Sequence, residues 1–64
     1  MEVISDNDYE LFINSGQVSE SILNGIVSKL INKEVLTMRE TSIFMYKTSK
    51  INQLIIKHSN DANQ

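Results

Sequence analysis

Side chains able to carry out acid–base or nucleophilic chemistry are sparse in this sequence, and their spacing does not assemble them. Nucleophilic catalysis needs a Ser, Cys or Thr beside a base, and a third group that orients the base. Serines are plentiful, but there is no cysteine and His58 is the single histidine. It falls near the C-terminal end of the last expected helix, where an imidazolium suits the negative end of the helix dipole. A solvent-exposed histidine at a helix end accounts for it without catalysis. Asp6, Asp8 and Glu10 crowd one short stretch. That stretch reads as a helix start, where carboxylates cap and complement the dipole, and it lacks the glycine and ligand spacing of a calcium loop. Glycine occurs only at Gly16 and Gly25, so no glycine-rich loop cradles a phosphate. One histidine and no cysteine leave no thiolate or histidine-rich metal site. The expectation is a non-enzymatic chain without cofactor or metal.

Basic side chains are the next candidates. Lys47, Lys50 and Lys57 stand at i, i+3 and i+10, on one flank of the last expected helix, with Leu54 interrupting the stripe. Arg39 alone offers the bidentate guanine contact favoured in a major groove. A small dimeric DNA-binding transcriptional regulator, a helix-turn-helix using Arg39, Lys47 and Lys50 as nucleic-acid contacts, is the alternative reading. Against it, an isoelectric point of about 5.1 is far from the basic footprint usual in such domains, and a solvated helix face explains the lysines more simply. Residues 1–20 hold Glu2, Asp6, Asp8, Glu10 and Glu20 and no base, while residues 21–58 hold all six bases against Glu34 and Glu40. Acids near helix starts and bases near helix ends give this pattern without a functional cause.

The elements that must position these residues are helices. Proline is absent and glycine is rare, which argues against a many-stranded β fold. A first helix is expected over 7–14, capped by Asp6 or Asn7, with Tyr9, Phe12 and Ile13 on one face and Gly16 closing it in the left-handed conformation. A second is expected over 18–34. There Ile22, Ile26 and Leu30 run beside Leu23, Val27 and Ile31 as a two-lane apolar stripe, and Gly25 inside it costs about 1 kcal/mol relative to Ala. Thr37-Met38-Arg39-Glu40 is a capping box, with Val35 and Leu36 placed to staple it. It opens a third helix over 37–58, whose apolar band is Met38, Phe44, Met45, Ile51, Leu54 and Ile55. Ile43–Tyr46 and Leu54–Ile56 are also good strand formers, but Ser49–Asn52 between them lacks the glycine of a tight hairpin. Residues 59–64 are expected to be a frayed polar tail.

The expected fold is all-α: one domain over residues 1–64, a short N-terminal helix followed by an antiparallel helical hairpin. A chain of 64 residues buries only about 60% of the surface its unfolded form exposes. Small folds compensate with a disulfide, a metal or a second subunit. The first two are excluded by composition, so oligomerisation, most simply as a homodimer, or a partner protein is expected to add the missing burial, and the first helix or a second copy is expected to close the core of the hairpin. No apolar run approaches the roughly 18 residues that span a membrane. MEVISDNDYE has neither the basic start nor the apolar core of a signal peptide, no lipidation motif is visible, and a cytoplasmic location is the default expectation.

The segment Lys47-Thr48-Ser49-Lys50-Ile51-Asn52-Gln53-Leu54-Ile55 resembles the second helix of the small sporulation aspartyl-phosphate phosphatases. These are helical hairpins that act on phosphorylated response regulators. Their signature Ser-Gln-Glu-Leu-Asp would fall on Thr48-Ser49-Lys50-Ile51-Asn52, which keeps the hydroxyl and the apolar position. Asn52 stands where the family carries the acid, and the spacing back to the preceding turn is longer. The resemblance therefore implies binding without hydrolysis. The leading functional expectation is a protein–protein interaction or regulatory module of inhibitor, adaptor or anti-activator type, working by helix-in-groove contacts. Its candidate contact residues are Met38, Phe44, Met45 and Tyr46, because Met and aromatic side chains suit adaptable interfaces. For Phe44 and Met45, plain core packing is the competing account.

Overall fold

A computed structural model describes residues 4–62 as four helices: α1 (Asp6–Ser15), α2 (Glu20–Ile31), α3 (Met38–Tyr46) and α4 (Thr48–Ala62). The all-α expectation holds, with no strand among the described residues. Three of the four helices start on a hydroxyl. Asp8 N–H donates to Ser5 Oγ at 3.1 Å and Ile22 N–H to Ser19 Oγ at 3.3 Å. Glu40 N–H donates to Thr37 Oγ1 at 3.2 Å, while Thr37 N–H donates to Glu40 Oε1 at 2.8 Å. The last two bonds are the capping box expected from the sequence. The cap of α1 is Ser5 rather than Asp6 or Asn7. The Ser19 cap starts α2 later than expected, because a capping residue itself keeps extended geometry.

Two different C-terminal closures shape the chain. Gly16 takes the left-handed conformation (φ 74°), and its N–H returns to Phe12 O, as the sequence predicts. Past Ile31, Glu34 N–H bonds Lys29 O at 2.8 Å and Lys33 N–H bonds Leu30 O at 3.3 Å, the paired bonds of a Schellman closure. Its left-handed residue is Lys33, at φ 59°, where glycine is the usual choice. This closure stops α2 before the expected boundary at 34.

The expected single helix over 37–58 is corrected to two. Lys47 (φ −107°, ψ 29°) leaves helical geometry, and Thr48 Oγ1 donates to Phe44 O at 2.8 Å and to Met45 O at 3.1 Å. A Thr hydroxyl that takes carbonyls from the preceding turn bends a helix without any Gly or Pro. The break allows Ile43 of α3 and Ile51 of α4 to be fully buried together with Ile26 of α2. The expected hairpin of two long helices thus gives way to α2 followed by two shorter helices, with α4 packed on both α2 and α3. The helix also continues through Ser59 to Ala62, so the frayed tail expected from 59 is not seen there; residues 63–64 lie outside the described residues.

Ile26, Ile43, Ile51, Val27 and Leu23 form the core, with Ile4 at its margin. Complete burial of one such side chain is worth about 1.5–3 kcal/mol. Tyr9, Phe12, Leu30, Leu36, Phe44, Leu54 and Ile55 pack against this cluster. Helix α1 contributes no fully buried residue and is held by Tyr9 and Phe12 at its inner side. Ile13, expected on that side, is exposed instead.

Candidate interaction surface

The capping box at the start of α3 also carries an ion pair. Glu40, with 5% of its surface exposed, accepts from Lys29 Nζ at 2.8 Å through the same Oε1 that accepts Thr37 N–H. Burial pushes the carboxyl toward a higher pKa. The bond from Lys29, the bonds with the Thr37 backbone and hydroxyl, and the Lys29 charge outweigh it, and the net result is a lowered pKa. This contact fixes the end of α2 against the start of α3 and thereby sets which face of α3 is turned outward.

That outward face carries several apolar side chains, with the hydroxyls of Thr41 and Ser42 exposed between them. Met38 is 87% exposed, Met45 73% and Tyr46 67%, and Val35 just before the helix is 89% exposed. Met38 and Met45 are seven residues apart, close to two helical turns, which puts them on one side of α3. Phe44 behaves differently, since it is half-buried and packs on the core. Of the four expected contact residues, three therefore form surface and one is core. Leu36 turns inward where a staple was expected, and Val35 does not. The sequence signal for Val35 was ambiguous because either residue could fill the staple position.

The apolar surface continues from α3 onto the end of α1. The Tyr46 ring meets Phe12 edge-on, with centroids 5.4 Å apart and planes at 82°, and Lys47 Nζ lies 5.6 Å from the Tyr46 centroid. Phe12, Ile13, Gly16 and Tyr46 line a shallow open cleft. A side chain at Gly16 would place its Cβ 3.1 Å from Tyr46 Oη, so the glycine provides both the turn and the space under the ring. Leu11 and Ile13 are exposed along α1.

The three expected nucleic-acid contacts part company in the fold. Arg39 is committed to α1: its Nη1 donates to Ile4 O at 3.2 Å, its Nη2 pairs with Asp6 Oδ1 at 2.8 Å, and its guanidinium lies 4.8 Å from the Tyr9 ring centroid. Lys47 sits half-buried at the joint beneath Tyr46, and Lys50 is exposed on α4. The segment that resembles the phosphatase signature forms the first turns of α4. Its Ile51 is core, while Ser49, Lys50 and Asn52 are exposed. His58 is exposed and lines a second open cleft with Asn24, Val27, Ser28, Ile31 and Asn32. Because α4 runs on to Ala62, His58 does not sit at the helix end.

Among the described residues no group of three or more His, Cys, Asp or Glu could hold a metal ion, and no helix is long and apolar enough to cross a membrane. No family model, no curated protein and no solved structure matches the chain.

Proposed function

We propose that this chain is a small regulatory interaction module, acting by binding rather than catalysis, and that the outer face of α3 is its contact surface. The observation that supports this reading is the exposure of Met38, Met45 and Tyr46 along α3 and of Val35 just ahead of it. Isolated exposed apolar residues are ordinary, whereas a group of them on one element marks an interaction site. Flexible thioethers flanking an aromatic ring suit such a surface. A second copy is the partner that requires fewest assumptions. An antiparallel pairing about a two-fold axis sets Met38 of one α3 against Met45 of the other, so the strip is complementary to itself.

Sedimentation velocity across a range from micromolar to millimolar chain tests this. The expected result is a concentration-dependent rise to twice the chain mass. The double variant Met38→Glu/Met45→Glu should remain at single-chain mass, with an unchanged helical circular dichroism spectrum. A wild-type chain that stays at single-chain mass up to millimolar concentration would overturn self-association through this face.

A further inference from the structure

Charge in this chain is divided along the sequence. Residues 1–40 hold seven acids and three bases, a net of −4, and two of those bases, Lys29 and Arg39, are paired with Glu40 and Asp6. Residues 41–59 hold Lys47, Lys50 and Lys57 and no acid, a net of +3, and Asp61 completes the total of −2. Helix α4 carries Lys50 and Lys57 of this stretch, with Asp61 close to its C-terminal end. Its inner face is Ile51, fully buried, with Leu54 and Ile55 half-buried; Ser49, Lys50, Asn52, Gln53, Ile56 and Lys57 are exposed. Lys50, Gln53 and Lys57 stand at i, i+3 and i+7 and so form one stripe along the helix.

We propose that α4 binds double-stranded DNA, with this stripe in the major groove. The charge favours a polyanion, and the shape favours B-form DNA among polyanions. A B-form major groove is about 12 Å wide and admits a single helix, whereas the deep, narrow major groove of A-form RNA does not. The side chains along the stripe match what the groove presents. Gln53 can bond an adenine edge, Lys50 and Lys57 can reach guanine edges or phosphates, and the exposed Ile56 can contact a thymine methyl. Because α4 is seated on α2 and α3 by Ile51, Leu54 and Ile55, its outer face is presented as a rigid surface. Arg39, the residue that sequence alone nominates first, has no part in this surface because it is held by Asp6 and Ile4. The inference does not depend on the α3 face.

Fluorescence anisotropy of a labelled mixed-sequence duplex, titrated with the full chain at 50 and 200 mM salt, tests the proposal. Two lysine–phosphate contacts, from Lys50 and Lys57, imply a slope of about −1.8 in log K against log salt, or about 12-fold weaker binding over that interval. Lys50→Glu/Lys57→Glu should lose at least tenfold in affinity, while Lys33→Glu, which changes an exposed lysine outside the stripe, should stay within about twofold. All three positions are exposed, so circular dichroism should show the variants equally folded. The proposal is overturned by no saturable binding at 50 mM salt, by Lys50→Glu/Lys57→Glu binding as tightly as wild type, or by single-stranded DNA binding as tightly as duplex.

Discussion

Arg39 Nη2 and Asp6 Oδ1 lie 2.8 Å apart, and this pair joins the start of α1 to the first turn of α3. Asp6 is largely exposed, so the ion pair alone is worth little. The same guanidinium also bonds the Ile4 carbonyl and stacks over Tyr9, and it is the combination that anchors a helix with no fully buried residue of its own. Arg39→Ala is expected to cost about 2 kcal/mol, the low end of the sum of a modest cation–π contact and one charged hydrogen bond because the guanidinium is part-exposed, and Asp6→Ala well under half of that. Hydrogen exchange provides the check: in Arg39→Ala, protection should fall in α1 while α2 and α4 keep theirs. Equal loss in all helices would show that Arg39 supports the whole fold instead.

The second prediction concerns the three isoleucines that meet at the centre. Ile26, Ile43 and Ile51 come from three different helices and are completely buried. Replacing any one by Ala leaves a cavity and should cost about 2–5 kcal/mol. In a domain this small that is a large share of the total stability. Met45→Ala on the outer face of α3 should change monomer stability by less than about 0.5 kcal/mol. Chemical denaturation of the four variants at a concentration where the wild type is monomeric reads the contrast directly.

That contrast also marks how far the sequence is legible. The Thr37–Glu40 capping box and the Gly16 closure are local, carried by residues within a few positions of each other, and both are found as read. The break at Lys47 is not punctuated by Gly or Pro, and the apolar band runs through it without a gap, so one long helix was the natural reading. The hydroxyl of Thr48 does the work that punctuation usually does. Met45 belongs to the apolar band read from the sequence but is exposed in the fold. The commitment of Arg39 to Asp6 and Tyr9 rests on a docking between distant segments, which periodicity does not encode. The mixture of core and surface among Phe44, Met45 and Tyr46 follows from the helix itself, which turns successive side chains to different sides.

Acid should weaken the junction between α2 and α3. The Glu40 carboxyl has a lowered pKa in the folded state. A depressed carboxylate contributes stability that is fully present above its unfolded pKa, and this contribution fades as pH falls through the folded value. Stability should therefore be level from neutrality down to about pH 5 as far as Glu40 is concerned, and decline below about pH 4.3, the ordinary glutamate value. Glu40→Gln removes that titration. The variant should be less stable at pH 7 and lose less on further acidification. Thermal melts of both proteins between pH 3 and 7 would show this as two curves that converge in acid, and parallel curves would remove Glu40 as the cause.

Lys33 is a place where the sequence is not optimal for the fold. It holds the left-handed position of the α2 closure, with φ at 59°, a conformation that costs a residue with a Cβ about 1–2 kcal/mol. Lys33→Gly relieves that strain but adds freedom to the unfolded chain, which takes back part of the gain. The net expectation is a stabilisation of up to about 1 kcal/mol, measured as a shift in the denaturant midpoint with unchanged slope. A loss of stability would mean that the lysine side chain contributes to the closure through contacts of its own.

Gly16 presents the opposite case, in which the glycine is required twice over. Its φ of 74° is strained for any other residue, and a Cβ there would stand 3.1 Å from Tyr46 Oη and 3.3 Å from Tyr46 Cε2. Gly16→Ala should cost at least about 1–2 kcal/mol from the backbone alone, and it should also push the Tyr46 ring away from its edge-on contact with Phe12. The two effects separate in a double variant. Tyr46→Phe removes the hydroxyl and so the closest contact, leaving the backbone strain and the ring-edge contact in place. Gly16→Ala introduced into Tyr46→Phe should therefore cost less than in wild type but still cost something. If the two substitutions were additive, the ring would yield freely and the glycine would be needed for its backbone alone. A coupling between them would also appear in assembly, because Tyr46 lies at the edge of the Met38–Met45 strip. Gly16→Ala should then weaken self-association in sedimentation measurements under conditions where the monomer is still fully folded.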